Sequence, residues 1–191
     1  MKIMKKLIRI FSILIVFLVG CNDPALEEIY GDALIYMPQA THNLGTDCNL
    51  YLNLSAAVAK SNPSQKTQTT LGIYRSGTHA KEKVSVDMVI NTDSLSAAQT
   101  YALSGQAPSV YDIYKSAKLL PSELYDPLPN QLTIPEGERQ ATTQLVLHNS
   151  EIFDQFAVGQ ILVLPVQIQN PTRYKINNSL SLTMVVITLT E

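Results

Sequence analysis

The most sharply defined chemistry in this sequence belongs to a thiol. Leu18-Val19-Gly20-Cys21 closes an apolar run with the spacing of a bacterial lipobox, in which a peptidase cuts before the cysteine and a diacylglyceryl group joins its sulfur. Cys21 is therefore the expected lipidation site. The only other cysteine, Cys48, then lacks an intrachain partner, and no structural disulfide is expected. Catalysis needs grouped acid, base or nucleophile residues. The chain has no Gly-x-Ser-x-Gly elbow, no His-Glu-x-x-His, no phosphate-binding loop and no Asp-x-Asp-x-Gly calcium loop. His42, His79 and His148 are far apart, in or near predicted loops, and read as solvated side chains. Asp112 and Asp126 flank a helical stretch and read as caps and turn formers. No catalytic residue, metal or cofactor is expected.

Recognition of a sugar makes other demands. Its C–H faces stack on flat rings, and its hydroxyls pair with amides and carboxylates. Of the nine tyrosines, Tyr101, Tyr111, Tyr114 and Tyr125 concentrate in one irregular region. With Gln99, Gln106 and Asp112 they could form a platform, so Tyr101, Tyr111, Asp112, Tyr114 and Tyr125 are the ligand-binding candidates. The competing reading puts these rings in a core with their hydroxyls reaching water. The lack of any Trp weighs on that side. Asp93-Ser94-Leu95 fits an Asp-Ser-apolar tripeptide used in bacterial O-glycosylation, which makes Ser94 a candidate acceptor.

What must position these residues begins after the leader. Lys2, Lys5, Lys6 and Arg9 precede ten almost purely apolar residues, Ile10 to Val19. As a helix that run is about 15 Å long, short of a hydrocarbon core of about 30 Å, so it reads as a cleaved signal peptide over residues 1–20. Of 191 residues, 171 then remain, enough for one domain. Fourteen Lys and Arg less the four in the leader leave ten against sixteen Asp and Glu. That acidic balance argues against nucleic acid and against adhesion to anionic headgroups. Residues 21–32 are polar and acidic, a tether between bilayer and domain.

The body, residues 33–191, reads as β. Ala33 to Met37 is a short apolar run stopped by Pro38. Cys48, Leu50, Leu52 and Leu54 alternate with polar residues, which turns Cys48 inward. Val84, Val86, Met88 and Ile90 alternate likewise. Ile161 to Val166, Ile168 and Met184 to Leu189 continue the pattern, with Pro165 expected at an edge or bulge. Val110 to Leu120 is predicted as a helix capped by Ser109, and Leu124-Tyr125 as a short strand. Asn91 to Pro108 carries only some helical character. Seven or eight short strands with one short helix predict an all-β, immunoglobulin-like antiparallel sandwich, without the buried Trp and paired Cys of true immunoglobulin domains.

The order of landmarks carries a resemblance. Ile35-Tyr36-Met37-Pro38-Gln39-Ala40 opens the body, and Leu120-Pro121-Ser122-Glu123-Leu124-Tyr125 follows the helical stretch. Then come Leu132-Thr133-Ile134-Pro135-Glu136-Gly137-Glu138, Leu162-Val163-Leu164-Pro165-Val166-Gln167-Ile168 and Ile176-Asn177. This resembles the domain of unknown function that opens many Bacteroidetes surface lipoproteins, some family-18 endo-β-N-acetylglucosaminidases among them. The resemblance implies a β-sandwich on the cell surface, often encoded with glycan-uptake machinery, and transfers no catalytic residue. The expected function is a non-catalytic outer-membrane lipoprotein. Its expected partners are the bilayer through Cys21, an oligosaccharide and outer-membrane glycan-uptake proteins. The alternative is a structural or adhesive module that pairs through an open strand edge, with the Pro165 strand or Met184 to Leu189 as the candidate edges.

Overall fold

A computed structural model describes residues 32–40, 52–61, 65–77 and 80–191. The leader with Cys21, the tether to Gly31, and Cys48, His42 and His79 lie outside the described residues. Two sheets face each other. The four-stranded sheet runs β7 (Gln140–Leu147), β3 (Thr67–Arg75), β1 (Leu34–Tyr36), β9 (Lys175–Ile176). The other runs β2 (Leu52–Ala59), β10 (Leu182–Thr190), β8 (Ile161–Gln169), β4 (Val84–Ile90), β6 (Gln131–Ile134), with β5 (Lys118–Leu119) also beside β8. This is the expected all-β sandwich. Three of its pairings are parallel rather than antiparallel: β1 with β9, β2 with β10 and β5 with β8. β5 and β9 are two residues each, too short to show a period in sequence.

The main core lies between the sheets. Ile35, Leu71, Val84, Val86, Ile134, Leu145, Leu162, Leu164, Val185 and Ile187 are sealed from water there. At about 1.5–3 kcal/mol for each fully buried side chain, this layer is the main offset to chain entropy.

β8 and β10 bury nearly every residue, not alternate ones. Their second face is covered as well. Val163, Met184 and Val186 pack there against Leu95, Ala98 and Ala102 of α1 (Thr92–Leu103) and Tyr111, Tyr114 and Ala117 of the next segment. A strand buried on both faces reads as a continuous apolar run. The chain between β4 and β6 is thus a lid on the outer face of the larger sheet.

That lid corrects the helix assignment. The longest described helix is α1, within the stretch whose helical character was weak. Leu95, Ala98 and Ala102 do recur at helical spacing, but Ala gives little hydrophobic contrast. The predicted helix from Val110 is instead a 3-10 helix over Ser109–Ser116. It ends when Ala117 becomes extended and Leu120 donates its N–H to the Val163 carbonyl at 3.0 Å, docking on β8. A second short helix, α2 (Asn149–Gln155), follows β7. Ser122–Leu124 is a 3-10 turn, and Tyr125 makes a single bridge to Leu147 instead of a strand.

Pro165 and the proposed edges are corrected too. β8 and β10 are interior strands, so neither offers an open edge. Pro165 pairs with Met184 on β10. On its other side β5 covers Leu162 and Val163, and β4 begins opposite Val166. Pro165 sits at the handover, where its carbonyl accepts the Asn91 N–H at 2.9 Å. Its missing N–H falls in that gap, so the ladder loses nothing there.

One consequence is measurable. Tyr114 is 1% exposed and its hydroxyl has no hydrogen-bond partner among the described residues. Burial alone pushes that phenol's pKa up. An unpaired buried hydroxyl costs about 1–3 kcal/mol, and deleting it is nearly neutral or stabilising. Tyr114→Phe is expected to leave the melting temperature unchanged or raise it by about 2–4 °C. A fall would mean the hydroxyl has a partner.

Candidate functional site

Three of the tyrosines chosen from sequence do meet. Tyr101 lies edge-on to Tyr111 with centroids 4.9 Å apart, and Tyr111 is 6.0 Å from Tyr114. They meet as packing. Tyr111 and Tyr114 are buried, while Tyr101 is 37% exposed beside the exposed Leu103. Asp112 faces solvent and pairs with Lys115 at 2.7 Å. Gln99 is spent on the Ala117 carbonyl at 2.9 Å. Tyr125 belongs to the main core and lines a separate, mostly apolar cleft of about 430 Å³ with Met88, Ile90 and Leu128. The five candidates therefore do not form one open platform. Ser94 is buried in the first turn of α1.

A different tyrosine stands beside the right chemistry. After β8 the chain turns through Asn170 to Tyr174 before β9. Asn170 and Tyr174 hold φ of 50° and 64°. Left-handed backbone costs a residue with a Cβ about 1–2 kcal/mol, and such strain persists only when neighbours over-determine it. Two neighbours do so at Tyr174. Its hydroxyl donates to the Glu82 carboxylate, and the Arg75 guanidinium carbon lies 5.8 Å from the ring centroid. Desolvation first, then the Glu82 bond, raise the Tyr174 pKa; the same bond is the main cause that lowers the Glu82 pKa. Arg75 is itself 1% exposed, and its guanidinium donates to the carbonyls of Glu82 and Glu138.

Tyr174 lines a cleft of about 540 Å³ with Gln167, Gln169, Asn170, Lys175 and Asn178. The amides are braced from behind. Asn91 Nδ2 donates to Gln167 Oε1 at 2.7 Å, and Asn170 Nδ2 to Asp87 Oδ2 at 3.0 Å. Lys175 pairs with Asp32 at 2.9 Å, which lowers the Asp32 pKa and raises that of Lys175; both are exposed, so the pair adds little stability. A half-buried ring among planar amides, each donor and acceptor at once, can hold a polyhydroxylated ligand.

A third concavity, of about 420 Å³, contains Lys66, Asp126, His148, Asn149 and Glu151. His148 Nε2 is 2.7 Å from Asp126 Oδ1, and its Nδ1 is 3.1 Å from the Glu123 carbonyl. The His148 bond is the main cause that lowers the Asp126 pKa, with burial opposing and Lys66 assisting. A carboxyl depressed in the fold contributes stability that is full above its unfolded pKa of about 3.9 and is lost as pH falls through the lower folded value. Asp126→Asn is expected to cost a small stabilisation at pH 7, where the carboxylate's contribution is full, and to converge with the parent chain well below about pH 4, so that the acid limb flattens. An unaltered acid limb would contradict this. Among the described residues no three His, Cys, Asp or Glu side chains group to hold a metal. No helix among them is long and apolar enough to cross a membrane.

Sequence reasoning missed Tyr174 because it follows Asn170-Pro171-Thr172-Arg173, a turn with no apolar period. The ring is in fact half-buried and packs in part against the main core, so position in the turn alone does not mark it as a binding residue.

With the geometry in place, likeness to known proteins can be weighed. A protein-family model described as an N-terminal domain matches residues 31–175. No curated protein matches the chain. Among solved structures, a presumed carbohydrate-binding protein of Bacteroides ovatus aligns with TM-score 0.54 at 11% identity, over 83% of this chain and 37% of that one. A Bacteroides ovatus protein of unknown function aligns at 0.56 and 15%, over 82% and 46%. Bacteroides thetaiotaomicron EndoBT-3987, solved with a Man5GlcNAc product, aligns at 0.51 and 14%, over 71% and 28%. These identities establish a shared fold. The chain spans less than half the length of each of the three.

Proposed function

Because the chain belongs to this family of N-terminal β-sandwich domains of Bacteroidetes proteins, we propose that it is a non-catalytic module that binds glycan, held on the outer membrane through acylated Cys21 and serving a glycan-uptake system. One observation carries the reading: Tyr174, held in strained backbone by Glu82 and Arg75, faces a cleft lined by Gln167, Gln169, Asn170 and Asn178. The ring offers a stacking face and the amides take hydroxyls. The fold shared with a presumed carbohydrate-binding protein and with EndoBT-3987 supports the class of ligand.

The test is capture by immobilised glycans. Fluorescently labelled chain should bind a subset of neutral oligosaccharides, high-mannose glycans included, and Tyr174→Ala should remove the signal. Equal capture of wild type and variant would place the site elsewhere. No capture of any glycan would count against the reading as a whole. Anchoring has its own test: Cys21→Ser should move the protein from the membrane to the soluble fraction.

A further inference from the structure

We infer that the Asp126–His148 pocket is a second glycan contact, suited to two neighbouring hydroxyls of an uncharged sugar ring; the inference rests on the glycan-binding reading above. The segment Pro121 to Asn130 straps the two sheets together. Asp126 N–H donates to the Val146 carbonyl and His148 N–H to that of Leu124, each at 2.9 Å, while Met88 N–H on the other sheet donates to Asn130 at 2.9 Å. The strap therefore holds Asp126 rigidly against His148.

Most polar atoms of the pocket are already engaged. Asp126 Oδ1 and both His148 ring nitrogens have partners, and Glu151 accepts from the Ser150 hydroxyl at 2.7 Å. Two atoms are open. Asp126 Oδ2 has only Lys66 Nζ, at 3.9 Å, beyond hydrogen-bond reach. Asn149 is 3% exposed, and its Oδ1 is fixed by the Thr67 N–H at 3.1 Å. That leaves its Nδ2 as the free end of a clamped amide on the pocket wall, with no acceptor among the described residues.

One free acceptor and one free donor are what a pair of adjacent hydroxyls completes. One hydroxyl donates to Asp126 Oδ2 and its neighbour accepts from Asn149 Nδ2. Charge disfavours an anionic sugar: a uronate would meet two carboxylates, Asp126 and Glu151, against the single ammonium of Lys66. The site differs from the Tyr174 cleft in having no aromatic wall, so it grips hydroxyls rather than ring faces.

The experiment is an NMR titration of the full chain with methyl α-mannoside, following the Asn149 side-chain amide and the Tyr174 backbone amide. The expected result is saturable movement of the Asn149 pair with a Kd of about 1 mM. Asn149→Asp, which keeps the acceptor for Thr67 and removes the donor, should weaken that response at least about ten-fold by leaving one hydroxyl unpaired. Tyr174→Ala should leave it intact. A fixed Asn149 signal while Tyr174 moves would overturn the second contact and leave the first reading standing. Silence at both would overturn both. A response to glucuronate as strong as that to the neutral glycoside would overturn the assignment to uncharged sugars.

Discussion

Tyr174→Ala is expected to weaken oligosaccharide binding by about ten-fold or more without unfolding the chain. A stacked aromatic contributes about 0.5–1.5 kcal/mol beyond the apolar area it buries, and about 1.4 kcal/mol is ten-fold in affinity. Among the described residues the cleft has no second aromatic ring to compensate; its other walls are amides, Lys175 and the aliphatic Ile168, Pro171 and Ile176. Folding should tolerate the change, since the residue is only half-buried and follows an exposed turn. Tyr174→Phe separates the contributions. It keeps the stacking face and loses only the hydrogen bond to Glu82, so most of the affinity should remain. Isothermal titration on all three proteins, with circular dichroism as the folding control, reads both effects. Unchanged affinity in the Ala variant would remove Tyr174 from the site.

The largest expected effect on stability lies beneath that ring. Arg75 is among the largest sealed side chains, and its guanidinium spans the carbonyls of Glu82 and Glu138. Arg75→Ala would leave two carbonyls without these donors and open a cavity in β3. Each orphaned acceptor costs about 1–3 kcal/mol and large-to-small changes in a core typically cost 2–5 kcal/mol, so a loss of at least about 4 kcal/mol is expected. Arg75→Lys should recover only part of it, because one compact ammonium cannot reproduce a planar fork. Urea denaturation measures both. The Ala variant should also bind sugar more weakly, since Tyr174 loses the cation beneath it. A loss under about 1 kcal/mol would show that the guanidinium contributes no net stability there.

The two effects locate what was legible in the sequence. Period-two patterning in Val84 to Ile90 and the long apolar runs of β8 and β10 carried the sandwich. Those same runs hid their second buried face, since an unbroken run does not say what covers it. The covering helix α1 was muted by alanines, and the 3-10 helix beside it shares enough spacing with an α-helix to pass for one. Pro165 was assigned to an edge because proline cannot donate to a ladder. The rule holds atom by atom, and β8 satisfies it inside the sheet where β5 gives way to β4. At the candidate site, counting tyrosines favoured residues 101–125, where two of four rings serve the second core and one the first. Tyr174 depends on Arg75, Glu82 and Gln167, which come together only through β3, β4 and β8, and no local pattern announces such a meeting.

The central claim is that this sandwich domain binds neutral oligosaccharide, and thermal denaturation tests it most directly. The soluble chain from Cys21, with Cys21 replaced by Ser, would be melted against host and plant oligosaccharides. Ligand at about 100 times its Kd should stabilise the folded state by about 2.7 kcal/mol through mass action. The account predicts a dose-dependent rise in melting temperature for at least one neutral glycan, cut by about half or more in Tyr174→Ala at the same ligand concentration. A melting temperature indifferent to every glycan, but rising with protein concentration, would contradict it and point to a module that works by self-association.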